Sequence, residues 1–278
     1  MRSVNIVTIG SPAEYFLAMA FQDVRILLQL SLRSLGYVCE LRDNVFDPSS
    51  LNIVLAYHLL PDEKQVRQHQ CIVYQLEQLP GQQVGWLKLD ERRASILRAA
   101  HAVWDFSTHN ITFLAANGIG QVKHVPIGFH EEVKKIKQAA IEDIDVFFYG
   151  AINVRRKKIL DELARRCRVK TSFGIYGSQR DDFIARSKIV LNLRSSHDTS
   201  IMEQPRVSHL LNNQQFVITE DAADNPYGDA VVAVRYENIV DCCLRYLEDD
   251  EGRKLMAQRG YAFIADRPMV EYVRAALF

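Results

Sequence analysis

Residues 195–221, SSHDTSIMEQPRVSHLLNNQQFVITED, carry charged groups spaced for chemistry on an anionic ligand. Glu203 and Arg206 are three positions apart, so on a helix they sit on neighbouring positions of one side. A carboxylate can accept from two vicinal hydroxyls, and a guanidinium forks onto phosphate oxygens. Ahead of them Ser195, Ser196 and His197 make a donor-rich loop after the apolar run of Val190, Leu191 and Leu193, the end of a strand where open α/β sheets place their ligands. A second group lies upstream. Gly150, Asn153, Arg155 and Arg156 fall between a strand and a helix, where backbone N–H groups, a helix N-terminus and two guanidiniums suit a diphosphate. Tyr176 and Gly177 close another strand, and a nucleobase could stack on the tyrosine ring.

Each of these residues also has a plainer use. The run Arg155–Lys158 reads equally as a solvated helix face, although basic residues in a first turn oppose the helix dipole. Ser200 and Glu203 have capping-box spacing, which would tie the carboxylate to its own backbone; Pro205 argues against it, because proline belongs in the first turn of a helix. Arg206 can pair with Glu203 or Glu220 instead of a ligand. Tyr176 fits a core position, and 195–197 fits an ordinary polar turn. For a general base the first candidate is Glu77, in the loop after an apolar run, then Glu14 and then His58. Trp104, Asp105 and His109 read as braces of the first sheet.

The elements that must position these groups alternate. Short β-rich runs at 4–9, 37–41, 52–57, 71–74, 102–106 and 122–126 are separated by helical patterns at about 13–35, 90–100 and 108–116, with Gly36 as a helix stop. Residues 131–144 are charged and lack an apolar stripe, which marks a junction between domains. The alternation then restarts: strands at 145–149, 169–176, 188–193, 215–219 and 231–234; helices at 155–167, 181–186 and 238–247; and a helical end at 252–278 interrupted at Pro268. Strands alternating with helices imply parallel sheets.

With 278 residues the chain is long enough for two domains. Its 34 basic and 34 acidic residues cancel, so nucleic acid is not an expected partner and anion binding must be local. No apolar run is long enough to span a bilayer. The five cysteines have no metal-ligand spacing and fit buried reduced thiols, and without a leader-like start the expected location is cytoplasmic.

The order of IVYQLEQL at 72–79, VWDFSTHNI at 103–111, VKHVPIGF at 122–129, DVFFYGAINVRRKKIL at 145–160, IYGSQRDDFIARSKIVLNL at 175–193 and EQPRVSHLLNNQQFVITED resembles the small GT-B glycosyltransferases of the CgeB-like, group 1 type. The resemblance implies an α/β chain of two Rossmann-like domains facing a cleft: 1–132 for the acceptor, 133–267 for the sugar nucleotide, and a final helix at 268–278 crossing back to the first. It implies transfer from a nucleoside-diphosphate sugar to an unidentified acceptor hydroxyl, with no cofactor and no metal. Gly150, Asn153, Arg155, Arg156, Tyr176, Gly177, Ser195, Ser196, His197, Glu203 and Arg206 would hold the donor. The chain departs from the pattern at 212–214, where many relatives carry a glycine, and at Ser208 or His209, where many carry an acid. Two other functions fit the same fold, a non-catalytic sugar- or nucleotide-binding partner subunit and a sugar-nucleotide epimerase.

Overall fold

The computed structural model describes residues 3–10, 18–79, 88–198 and 200–278. They divide into two units, residues 1–130 with 268–278, and residues 131–267. Glu14 lies outside the described residues.

The first unit is built on six parallel strands, β1 (Ser3–Thr8), β2 (Val38–Asp43), β3 (Leu51–Leu55), β4 (Cys71–Gln75), β5 (Ala102–Asp105) and β6 (Val122–His124), in the order β2-β1-β3-β4-β5-β6. Ile6, Ile53, Val54, Val73 and Trp104 are fully buried, as expected of a parallel sheet covered on both faces. Helices α1 (Gln22–Ser34), α2 (Lys64–Gln68), α3 (Glu91–Ala99) and α4 (Thr108–Ala116) connect the strands. The expected stop at Gly36 is real. Its φ of 82° puts it in the left-handed region, and the bonds Gly36 N to Arg33 O (2.9 Å) and Tyr37 N to Leu32 O (3.1 Å) close the end of α1. The short α2 carried no periodic signal, because a single buried residue, Val66, anchors it.

The second unit repeats the plan with five parallel strands, β7 (Ile144–Tyr149), β8 (Val169–Ser172), β9 (Ser187–Asn192), β10 (Val217–Glu220) and β11 (Val232–Val234), in the order β11-β10-β9-β7-β8. Its helices are α5 (Val154–Ala164), α6 (Gly177–Ala185), α7 (Gln204–Asn212), α8 (Ile239–Leu247) and α9 (Asp250–Ala265). Val146, Phe148, Ile189, Leu191, Ile218 and Cys243 lie in one core. The chain leaves β7 for β8 on one side and returns to β9 on the other, so the strand order reverses between β7 and β9, the place where such sheets open a crevice at their carboxyl ends.

Two expectations need correction. The strand expected over 169–176 stops at Ser172, and Gly177 does not end a strand but opens α6, with Tyr176 as its N-cap residue. Helix α6 accordingly begins four residues before the expected 181 and ends at Ala185. The last helix, α10 (Met269–Leu277), belongs to the first unit: Met269 N donates to Phe129 O (2.8 Å) and Lys123 Nζ to Ala276 O (2.8 Å). All five cysteines are free, four of them buried. No helix among the described residues is long and apolar enough to cross a membrane.

Candidate functional site

The β7/β9 reversal collects charged groups from four loops. Tyr149 ends β7, and Gly150 follows with a φ of 138°, a conformation that disfavours any side chain. A Cβ on Gly150 would also stand 3.1 Å from Nη2 of Arg206, so the glycine lets that guanidinium reach the backbone. Asn153 caps α5 by accepting from Arg156 N (2.9 Å), and its Nδ2 donates to Ser195 O (2.7 Å), which joins the β7 loop to the β9 loop.

The two first-turn arginines of α5 do different things, and neither is a solvated face. Arg155 forks onto the fully buried Glu220 at the end of β10 through both terminal nitrogens, with Nη1 to Oε2 at 2.7 Å. Its Nε meets His197 Nε2 at 3.2 Å, and its guanidinium carbon lies 4.0 Å from the centroid of the Tyr236 ring. Arg194 reaches the same carboxylate through Nε (3.0 Å) and its own backbone N–H (3.1 Å). Glu220 is thus a buried anchor between two arginines, fixing the loop that carries Ser195 and His197. Ser196 turns inward on that loop, its Oγ accepting from Asp198 N at 3.1 Å.

Arg156 is buried and donates only to neutral carbonyls: Nη1 to Ala151 O (2.8 Å), Nη2 to Leu193 O (2.7 Å), and Nε to Leu193 O (3.1 Å) and Arg194 O (3.3 Å). Burial, and then the nearby positive charge of Arg206, lower its pKa to about 10, so it keeps its charge at neutral pH. The carbonyls satisfy its donors without supplying a counter-charge, and the carboxylates of Glu203 and Glu220 favour its charged form without bonding to it.

Arg206, in the first turn of α7, donates Nη1 to Asn192 Oδ1 (2.9 Å) and lies 4.8 Å from the centroid of the Tyr149 ring. Its Nε is buried without a hydrogen-bond partner, and no carboxylate among the described residues lies within ion-pair distance of it. Of the pairings open to it in the sequence, with Glu203 or with Glu220, neither forms. The capping box does not form either. Glu203 is itself the N-cap residue of α7, its side chain makes no cap bond, and Pro205 falls within the first turn. The half-buried Glu203 carboxylate is close enough to Arg156 to favour its charged form.

Tyr176 and Gly177 stand where α6 begins, and Arg180 on that helix also faces Tyr149, 5.7 Å from the ring centroid. Arg180 bonds Asp181 Oδ1 (2.7 Å) and His209 Nε2 (2.9 Å), which ties α6 to α7. Among the described residues no three His, Cys, Asp or Glu side chains converge as metal ligands.

In the first unit, Glu77 is half-buried in the loop after β4. His58 follows β3 after Ala56, a residue with φ of 56°. Burial, then the charges of Arg93 and Arg92, lower its pKa to about 4. A neutral imidazole that resists protonation is a weak base at neutral pH, so of the described candidates Glu77 fits that role better. Sequence reasoning missed the residues that act at long range: Asn192, Arg194, Tyr149 and Glu220's two-arginine clamp. Only the apolar–polar switch at each strand end could have hinted at them.

No family model matches the chain. An uncharacterized protein of Acanthamoeba polyphaga mimivirus, L140, is 27% identical over 161 residues, which cover 52% of this chain and 50% of the relative; the match thus spans about half the length of that curated relative. Among solved structures, Anabaena HepE in complex with UDP-glucose superposes with a TM-score of 0.65 at 9% identity, covering 100% of this chain and 99% of HepE. T4 phage BGT in complex with its UDP-glucose substrate gives 0.62 at 10% identity, covering 99% and 98%. The chain has the GT-B glycosyltransferase fold.

Proposed function

We propose that this protein is a glycosyltransferase that moves a sugar from a nucleoside-diphosphate sugar to an acceptor hydroxyl, with protein cations rather than a divalent metal facing the leaving diphosphate. One observation carries the reading. At the point where the second sheet reverses, Arg206 presents a guanidinium with a buried, unpartnered Nε against the bare backbone of Gly150, next to Arg156, whose donors are satisfied by carbonyls alone. A buried guanidinium such as that of Arg206, with no carboxylate paired to it, is costly, and a diphosphate supplies the missing charge in the geometry a guanidinium prefers. The fold neighbours HepE and T4 BGT, whose structures hold UDP-glucose, support the donor class.

In this reading Arg206, the Gly150 backbone and the α5 N-terminus bind the diphosphate, with Arg156 adding its field. Glu203 accepts from the ribose hydroxyls, and Tyr176 with Gly177 borders the base. Arg155, Ser195 and His197 shape the loop around them. The acceptor oxygen forms a bond to the anomeric carbon, the bond from that carbon to the phosphate oxygen breaks, and the electron pair leaves with the diphosphate. The acceptor proton passes to Glu77.

Titration of the purified protein with UDP, GDP and dTDP by calorimetry is the direct test. Binding of one is expected, and a folded protein blind to all three overturns the reading. With the matching sugar nucleotide, turnover in excess EDTA should equal turnover without it; loss restored by a divalent cation would reject the metal-free assignment. Binding without release of the diphosphate under any acceptor would favour a non-catalytic partner subunit.

A further inference from the structure

We propose that Gln75, Asp105 and Asn110 are positioning residues that hold Glu77 in place to receive the acceptor's proton, an inference that rests on the glycosyltransferase reading. Asp105 braces the sheet as expected, accepting from Gln75, its partner across β4 and β5, and its bonds also reach the loop after β4 through Gln75 and Asn110. Gln75 ends β4, Asp105 ends β5 and Asn110 lies in the first turn of α4, and all three are fully buried. Gln75 Oε1 accepts from Glu77 N (2.7 Å), while Gln75 Nε2 donates to Glu77 O (2.7 Å) and Asp105 Oδ2 (2.9 Å). Asn110 Nδ2 donates to Glu77 O (2.8 Å) and Asp105 Oδ1 (3.0 Å), and its Oδ1 accepts from Leu79 N (3.0 Å). Asp105 Oδ1 also accepts from Ser107 N (2.8 Å).

Every amide donor of Gln75 and Asn110 is therefore used, and the loop bonds end on the N–H and C=O of Glu77 and the N–H of Leu79. A surface loop ordinarily gives such groups to water. Here three elements converge to fix the backbone on both sides of Glu77, and a buried network of this kind is stable only when complete. Leu76, Gln78 and Leu79 are buried around it, so Glu77 is the one residue between 71 and 79 whose side chain is not. What the network fixes is thus the backbone that carries one half-buried carboxylate. A general base must lie within hydrogen-bond reach of the proton it takes, and a displacement of about 1 Å can cost about 100-fold in rate.

Hydrolysis of UDP-, GDP- and dTDP-glucose, with water as the acceptor whose proton Glu77 would take, should be followed by release of the nucleoside diphosphate for the wild type, Asn110→Ala, Glu77→Gln and the double variant. Asn110→Ala is expected to lower kcat about 10- to 100-fold while the KM for the donor and the calorimetric affinity for the nucleotide stay within about twofold. If Asn110 acts through Glu77, the double variant is no slower than Glu77→Gln alone. Full activity in a folded Asn110→Ala, or penalties that add in the double variant, would overturn the proposal. Asp105→Asn keeps the shape of the network and replaces one acceptor by a donor. It provides the same comparison should Asn110→Ala not fold. A wild type that neither binds a nucleotide nor turns one over overturns the underlying reading. That result is distinct from an active wild type whose Asn110 variant is unimpaired.

Discussion

At the scale of single residues, the arginines of the second unit separate into those bonded to carboxylates or carbonyls of the protein and Arg206, whose Nε is buried without a partner and which the proposed function assigns to the diphosphate. Arg206→Ala removes a charge-assisted contact of about 1.5–3 kcal/mol, so UDP affinity should fall about 10- to 100-fold by calorimetry. Arg206→Lys should recover only part of it, because a point charge does not reproduce the fork stacked on Tyr149. Gly150→Ala should weaken binding too, since the new methyl is strained at that φ and crowds Arg206. Unchanged affinity in all three variants would remove Arg206 from the site. Arg155→Ala should behave otherwise: it leaves Glu220 buried with Arg194 alone, at a cost of about 1.5–3 kcal/mol in stability seen as a lower denaturation midpoint. The sequence placed both arginines at a strand end, because strand, turn and helix are local patterns. It could not separate their roles, since Glu220 lies 65 residues from Arg155 and pairing over that distance leaves no periodic trace.

At the scale of elements, the alternation of apolar runs and helical patterns carried most of the fold, and the errors fell where a few residues decide. Residues 169–176 read as one strand because their composition is β-rich, yet pairing with β7 stops at Ser172, and Tyr176 turns the chain into α6. The missing glycine at 212–214 proves to be a conformational cost rather than a different turn. Gln214 takes φ of 55° after α7, and Gln215 N still donates to Leu210 O at 2.9 Å. Gln214→Gly should therefore stabilise the protein by about 0.5–1 kcal/mol, measured by denaturant midpoint; destabilisation would mean that the Lys134 contact to Gln214 Oε1 matters more. The turn after β3 supplies a pH test. The folded pKa of His58, about 4, lies below its ordinary value of 6.5, so the unfolded chain takes up a proton first as pH falls. The stabilisation is then complete above about pH 6.5 and is lost toward pH 4, by about 3 kcal/mol in all. His58→Gln should flatten that part of the stability profile, and an unchanged slope would show that another group titrates there.

At the scale of the whole molecule, each unit has its own parallel sheet, while the chain crosses between units twice, at 130–131 and at 267–268. Every residue assigned to the donor lies in the second unit, yet the last eleven residues, 268–278, complete the first. Helix α10 packs on α1 and buries Met269, Val273 and Ala276. Gly128 N also donates to Met269 Sδ at 3.3 Å. Two buried side chains of the size of Met269 and Val273 contribute about 1.5–3 kcal/mol each, enough to make α10 a requirement for the first unit. Truncation after Arg267 should lower the melting transition of the first unit and leave nucleotide affinity close to that of the full chain. Calorimetric scans with and without UDP can assign the transitions, because a bound nucleotide raises only the one belonging to the unit that holds it. If truncation abolished UDP binding, or shifted the UDP-sensitive transition as much as the other, the donor site would depend on the first unit, and the assignment of its residues to 131–267 alone would fail.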